Sequence, residues 1–360
     1  MGRLGNCTII VVLLAIPMPY IVPALFRFRS FPLDPVVGNV EEVGDEILTE
    51  RITGKKALVV GGTRGIGRGI ALQLAKYGAD VSVVGRNAQG GSAVVQSMQY
   101  IESESQLENQ KQFEDDVKSG KRKRKHHSYA FDLSTVKGCQ AFAKRLEVLG
   151  ESFDYLVMTL GIWPDWENPN TADGLNKVFA IDNLARFILI QKLRKLLKPG
   201  ARVMSVLAST MKTGYIDESV IKDVVTGKIN EFGFGNMPEL MLTAATVGDV
   251  MLEQAGKRFP EVRFIGTHPG LVATELLDNT FPKWVTKPAM TLLLFLGVLN
   301  TESACGRIHA TILSSENVEK RQTTYFNFLL DGRKTINLAY DDDFGKWLWQ
   351  TLEEMMIQYS

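Results

Sequence analysis

From Lys55 to Gly270 the chain alternates short apolar runs with longer stretches whose apolar positions recur at helical spacing. "KALVV" predicts a short buried strand. "RGIALQLAKYG" predicts a helix closed by Gly78, and "ADVSVVGRN" a second strand. Further strands are predicted at "HSYAFDL", "FDYLVMT", "ARVMSVLA" and "VRFIGTHPG", with helices between them. Strands that alternate with helices are parallel, and a parallel sheet is covered on both faces. The pattern therefore predicts an α/β fold in one large domain.

The N-terminus departs from this pattern. Cys7 to Phe26 carries no charge over about twenty residues, the length a spanning helix needs. A membrane anchor is the first reading of residues 1–30. A cleaved signal peptide and a core or surface-lying segment are the alternatives. Pro17, Pro19 and Pro23 favour the last, because each would kink a helix. Arg27 and Arg29 behind the run, against Arg3 before it, place the downstream domain on the cytosolic side. Residues 31–53 read as an increasingly acidic linker and 54–360 as the folded domain. A polar insertion, at about residues 99–127, ends in "KRKRKHH" and reads as a solvated loop between the second and third strands, with a localisation or anionic-surface signal as the alternative. A second apolar run, Ala289 to Leu299, is too short to span a bilayer. It reads as a buried helix, with a lid over a lipophilic substrate or a membrane-resting surface as alternatives.

Composition narrows the function classes. A formal net charge of +1 gives no field that would gather nucleic acid or an acidic partner. Three cysteines, Cys7, Cys139 and Cys305, form no disulfide framework and suit a reducing compartment. The four histidines, His126, His127, His268 and His309, join no cluster with metal-ligand spacing, so no metal site is expected.

The chemistry begins at "GGTRGIGRG". Gly61, Thr63, Arg64, Gly65, Ile66 and Gly67 lie where the first strand turns into the first long helix. There free backbone N–H groups and the helix dipole attract an anion, and glycine allows a pyrophosphate to come close. The Gly-x-x-x-Gly-x-Gly spacing resembles that of the short-chain dehydrogenase/reductase family. Other landmarks follow in order: Asp132 in "YAFDL", Gly161 in "LVMTLGI", the helix "NKVFAIDNLARFILIQ", and Pro269, Gly270 and Thr274 in "HPGLVATEL". "YFNFLLDGRK" and "DDDFGKWLWQTLEEM" resemble the last strand and tail helix of retinol-dehydrogenase-like members. The resemblance covers about Lys55 to Met356. It implies a single Rossmann-type doubly wound sheet, a dinucleotide cofactor and cofactor contacts at the residues just named. An acidic residue after the second strand would bind the ribose of NAD. Here that place holds Gly85 and Arg86, and Arg64 lies in the glycine turn. Two guanidiniums suit a 2′-phosphate, so NADP(H) is expected.

The family's proton-transfer groups are a Tyr-x-x-x-Lys pair, a serine and an asparagine. No tyrosine of this chain has a lysine four residues later, and counting back from "HPG" places the pair on Met241 and Ala245. The asparagine position falls on Asp182, and Ser209 supplies the serine. Tyr215, seven residues before Lys222, and His268 are the remaining candidate acids. Asp182 has a second reading, local pairing with Arg186 one helical turn on.

Two functions are compatible with these residues. One is a membrane-tethered NADP(H)-dependent oxidoreductase acting on a small lipophilic carbonyl or alcohol, held through residues 7–26 to the endoplasmic reticulum or another endomembrane. The other is a catalytically inactive NADP(H)-binding sensor or scaffold, favoured by Met241 and Ala245. By analogy with the family, a homodimer or tetramer would form through the helices around "NKVFAIDNLARF" and "AATVGDVMLEQ".

Overall fold

The computed structural model describes residues 30–108, 124–165, 167–207, 216–229, 237–274, 291–296 and 298–360. The expected anchor at residues 7–26 lies outside them. Among the described residues no helix is long and apolar enough to cross a membrane.

Eight strands form one sheet: β1 (Lys56–Val60), β2 (Asp80–Gly85), β3 (His127–Ala130), β4 (Phe153–Met158), β5 (Leu197–Val206), β6 (Arg263–His268), β7 (Thr323–Asn327) and β8 (Gly332–Arg333). Their order is β3-β2-β1-β4-β5-β6-β7-β8, parallel throughout except for the antiparallel β8 at the edge. The order reverses between β1 and β4, and a crevice opens there at the strands' C-terminal ends. The main helices are α1 (Asp45–Ile52), α2 (Gly65–Lys76), α3 (Ala88–Glu108), α4 (Val136–Val148), α5, α6 (Glu218–Val225), α7 (Met237–Arg258), α8 (Glu302–Ser314) and α9 (Asp342–Gln358). In α5 a short start, Lys177–Phe179, leads through a π-helical turn, Ala180–Leu184, into Ala185–Leu193.

Successive residues of a strand face opposite sides of the sheet. Leu58, Val60, Leu156 and Met158 therefore pack against α4, α5, α7 and α9. Ala57, Val59, Val81 and Val157 pack against α1, α2, α3 and α8. Both faces are dry, which is why the strands read as continuous apolar runs rather than as alternating ones.

Three segments differ from their sequence reading. Residues 31–53 do not form a free linker. Val37, Val40, Leu48 and Ile52 are buried against the sheet, and Asp34 N donates to Gly332 O at the β8 edge (3.0 Å). The polar insertion begins as a continuation of α3 to Glu108, and its basic end is anchored. Arg124 Nη1 donates to Ala75 O, and buried His126 accepts from Val81 N through Nδ1. Within the Ala289–Leu299 run residues 291–295 are helical, but Leu292, Leu293 and Phe295 are exposed rather than buried.

The helix that carries the glycine turn is seated by a close helix–helix crossing. A Cβ on Gly69 of α2 would lie 2.7 Å from the backbone carbon of Glu302, and one on Gly306 would lie 2.5 Å from that of Gly69. Arg68 pairs with Glu302 (3.2 Å) and Gln73 bonds Ser303 (3.0 Å) along the same seam. Gly69→Ala is expected to cost about 1–3 kcal/mol by forcing α2 and α8 apart. Chemical denaturation checks this, and an unchanged midpoint would show that the seam can relax.

Candidate active site

The turn between β1 and α2 is built around Gly61. Its φ of +83° lies in a region that L side chains rarely adopt, and its N–H donates to Val84 O (2.9 Å). Arg64 is the N-cap residue of α2 and has extended backbone. No side chain caps this helix, and no acidic residue lies in its first turn, so its leading N–H groups remain available to a bound anion.

A cavity of about 900 Å³ extends from this turn along the switch point. Gly61, Thr63, Arg64, Gly65, Ile66 and Gly67 line one end. Arg86 enters from the end of β2, and Asp132 and Gly161 from beyond β3 and β4. Pro269 and Thr274 close the far wall, where the Thr274 methyl carbon would sit 3.3 Å from a Cβ on Gly65. Gly270 is one residue off the lining and donates its N–H to His268 Nδ1 (3.1 Å). All twelve residues expected at the cofactor are thus gathered at or beside one cavity. Arg64 and Arg86 are exposed, and among the described residues neither has an acidic partner. Asp132 accepts from Ser134 N through Oδ1 (3.0 Å).

The other end of the cavity is apolar, lined by Ile162, Trp163, Val206 and Leu207 and by Met241, Leu242 and Ala245 of α7. Met241 and Ala245 therefore face the cavity from the helix where the resemblance would place tyrosine and lysine. They can neither give nor hold a proton. Lys222 is engaged elsewhere, paired with Glu218 (2.6 Å) and stacked on the Trp347 ring (5.3 Å). Ser209 and Tyr215 lie outside the described residues.

Two titratable groups remain at this end. His268 accepts through Nδ1, so its proton sits on Nε2. Burial, helped by nearby His309, pulls its pKa down to about 4 and keeps the ring neutral at pH 7. It therefore enters a neutral-pH reaction without the extra proton that the usual histidine pKa promised. Asp182 sits in the π-helical turn of α5 and is only 1% exposed. Its Oδ1 accepts from Ile162 N (3.2 Å), and its Oδ2 has no hydrogen-bond partner among the described residues. Burial raises its pKa to about 7 against the opposing pull of Arg186. Asn183, next along, donates through Nδ2 to Ala244 O (2.7 Å) and ties α5 to α7.

Thr159 was not singled out by its sequence. Its Oγ1 donates to Val60 O (3.0 Å) and presses on the glycine turn, 2.8 Å from where a Cβ of Gly61 would be. Its one signal was its position directly after β4.

This strand order, with a glycine turn at the head of the first helix and a crevice at the reversal, defines a dinucleotide-binding type of α/β domain. In fold and in part of its sequence the chain resembles the short-chain dehydrogenase/reductase family. Residues 55–119 match the sequence model of the short chain dehydrogenase family. An uncharacterized oxidoreductase of Saccharomyces cerevisiae is 22% identical over 269 residues, covering 75% of this chain and 77% of that protein. Polyprenol dehydrogenase of Danio rerio is 27% identical over 304 residues, covering 82% and 85%. A short chain dehydrogenase from Burkholderia cenocepacia, solved in complex with NADP, superposes with a TM-score of 0.53 at 18% identity. The superposition covers 77% of this chain and 97% of that one, a likeness of fold.

Proposed function

We propose that the chain is an NADP(H)-dependent oxidoreductase that interconverts a lipophilic carbonyl compound and its alcohol. One observation carries this reading. A single cavity joins an uncapped glycine turn, and two guanidiniums without acidic partners among the described residues, to an apolar end that holds a buried carboxyl group. The residues present fit the cofactor. The α2 N-terminus would take the pyrophosphate, Arg64 and Arg86 the 2′-phosphate, and Asp132 the adenine end. When bound, NADPH supplies the hydride. The apolar walls exclude water and hold the substrate, and Asp182 and His268 are the described groups able to carry a proton there.

The likeness to polyprenol dehydrogenase supports a lipophilic alcohol as the substrate class. So does the exposed apolar surface of Leu271, Leu292, Leu293 and Phe295, near the cavity wall that contains Pro269 and Thr274. The uncharged run at residues 7–26 supports attachment to an endomembrane, where such a substrate is dissolved. Met241 and Ala245 in the cavity favour a second reading, a cofactor-binding sensor that turns nothing over.

Titration with both cofactors, followed by assays on aldehydes, ketones and long-chain alcohols, tests the proposal. Wild-type protein is expected to bind NADPH roughly 10–100-fold more tightly than NADH, and Arg86→Asp to erase that preference through loss of a charge-assisted contact. Equal affinities, or a preference untouched by Arg86→Asp, would refute the NADP(H) assignment. Tight NADPH binding without turnover on any substrate would select the sensor.

A further inference from the structure

Arg186 lies one helical turn beyond Asp182 and is as completely buried as the core leucines. Its guanidinium does not reach a carboxylate within salt-bridge distance among the described residues. Nη1 donates to Met158 O (2.8 Å) and Ser205 Oγ (2.6 Å), while Nη2 donates to Leu160 O and to Val206 O (3.4 Å). These acceptors are at the C-terminal ends of β4 and β5, where both strands open into the cavity. The clamp fixes a permanent positive charge at the ends of β4 and β5. Asp182 lines the cavity, and its Oδ2 is buried without a hydrogen-bond partner among the described residues. An unpartnered buried carboxyl oxygen is costly as an anion and tolerable when it holds a proton.

We infer that Asp182 and Arg186 form the proton-transfer pair of this site: Asp182 exchanges the proton with the substrate oxygen, and the clamped guanidinium sets how tightly that proton is held. The pair would do from α5 what Met241 and Ala245 cannot do from α7. The inference rests on the oxidoreductase reading and assigns the acid within it.

The other groups around Asp182 leave Arg186 as the charge that governs it. His268, at the end of β6, is neutral at pH 7. The loop after β4 contributes the Ile162 N–H, and α7 contributes uncharged side chains. Arg64, Arg86 and Asp132 belong to the cofactor end. Burial pushes the Asp182 carboxyl up to about 7 and Arg186 draws it back, so both protonation states are present near neutrality, as acid–base work requires.

In carbonyl reduction the cofactor, when bound, would supply a hydride with its electron pair to the carbonyl carbon. The π pair moves onto oxygen, an O–H bond forms there, and the Oδ2–H bond of Asp182 breaks. The carbonyl is reduced to the alcohol and the nicotinamide is oxidised. A carboxylate is left facing Arg186 until solvent returns a proton through the cavity mouth. Oxidation of the alcohol runs the same transfers backwards.

The test needs no turnover. In the full-length chain in detergent, with aspartate carboxyls isotope-labelled, infrared difference spectra are recorded against pH without cofactor. One protonated aspartate band is expected to persist to neutral pH in wild-type protein and to vanish in Asp182→Asn. Arg186→Met is expected to raise the titration midpoint by about 1–3 units, because it removes the stabilising cation. Ser205→Ala loosens the clamp but keeps the charge, so it should raise the midpoint by less than Arg186→Met does, and it serves as the second variant if Arg186→Met does not fold. A band unaffected by Asp182→Asn, or a midpoint near the ordinary carboxylate value of about 4, overturns the pair. In turnover, Asp182→Asn is expected to lower kcat for reduction roughly 10²–10⁴-fold with little change in KM and a flattened pH profile. Undiminished turnover by this variant also overturns the inference. NADPH titration separates the two readings: failure of wild-type protein to bind NADPH defeats the oxidoreductase reading, whatever the infrared midpoint.

Discussion

Gly67→Ala is expected to abolish measurable nucleotide binding while the rest of the fold survives. Gly67 is buried in the first turn of α2, and a Cβ there would lie 2.8 Å from the carbonyl carbon of Gly61, with Gly61 O and Thr159 Oγ1 nearer still. None of these neighbours can give way. Gly61 is held by its hydrogen bond to Val84 O, and Thr159 is held by two bonds to Val60 O, from its N–H (2.8 Å) and its hydroxyl (3.0 Å). The methyl group must therefore push α2 away from β1 or open the glycine turn. Either movement displaces the N–H groups that would hold a pyrophosphate, so the affinity for NADPH should fall at least roughly a hundredfold, about 2.7 kcal/mol. Stability should fall by about 1–3 kcal/mol, as for other overpacked sites. Calorimetric titration and urea unfolding measure the two effects separately. A variant that still bound NADPH within tenfold of wild type would show that the cofactor phosphates do not lie on this turn.

The cofactor end was legible in the sequence because its determinants are local. A glycine spacing, the strand before it and the helix after it occur within some twenty residues. The apolar strand runs were equally clear, since a sheet covered on both faces has few polar positions to interrupt it. Counting along α7 was enough to place Met241 and Ala245 in the cavity. The proton-carrying end was harder to read because its determinants are long-range. Arg186 read as a local partner for Asp182, whereas its guanidinium goes to the ends of β4 and β5, as far as 28 residues away in the chain. The state of His268 depends on its burial and on His309 of α8, neither of which a sequence pattern reports. Residues 31–53 looked like a linker that becomes acidic. Four apolar side chains among them decide the packing.

The tail helix leads to the second large effect, expected for Trp349→Ala. Asp341 caps α9 by accepting from Asp343 N (3.0 Å) and Phe344 N (2.9 Å), and the helix buries Phe344, Leu348, Trp349 and Leu352. It approaches α7 so closely that a Cβ on Gly345 would lie 2.7 Å from the amide carbon of Gln254. Trp349 stands edge-on to Phe187 of α5 with centroids 4.9 Å apart, and Arg258 of α7 lies 4.5 Å over its ring. Its indole N–H donates to Glu353, which also accepts from Gln191 of α5 (2.9 Å). The helix thus covers Phe187 and Gln191 of α5 and Gln254 and Arg258 of α7. Truncation of a buried tryptophan costs about 3–5 kcal/mol, a large share of the 5–15 kcal/mol typical of a whole domain. The variant should unfold at markedly lower denaturant than wild type. Its uncovered Phe187 and Phe259, which Trp349 covers in the wild-type protein, should then make it self-associate. Light scattering on size-exclusion fractions and equilibrium unfolding check both outcomes. A wild-type dimer whose interface contains Phe187 would show instead that α9 leaves this face in solution.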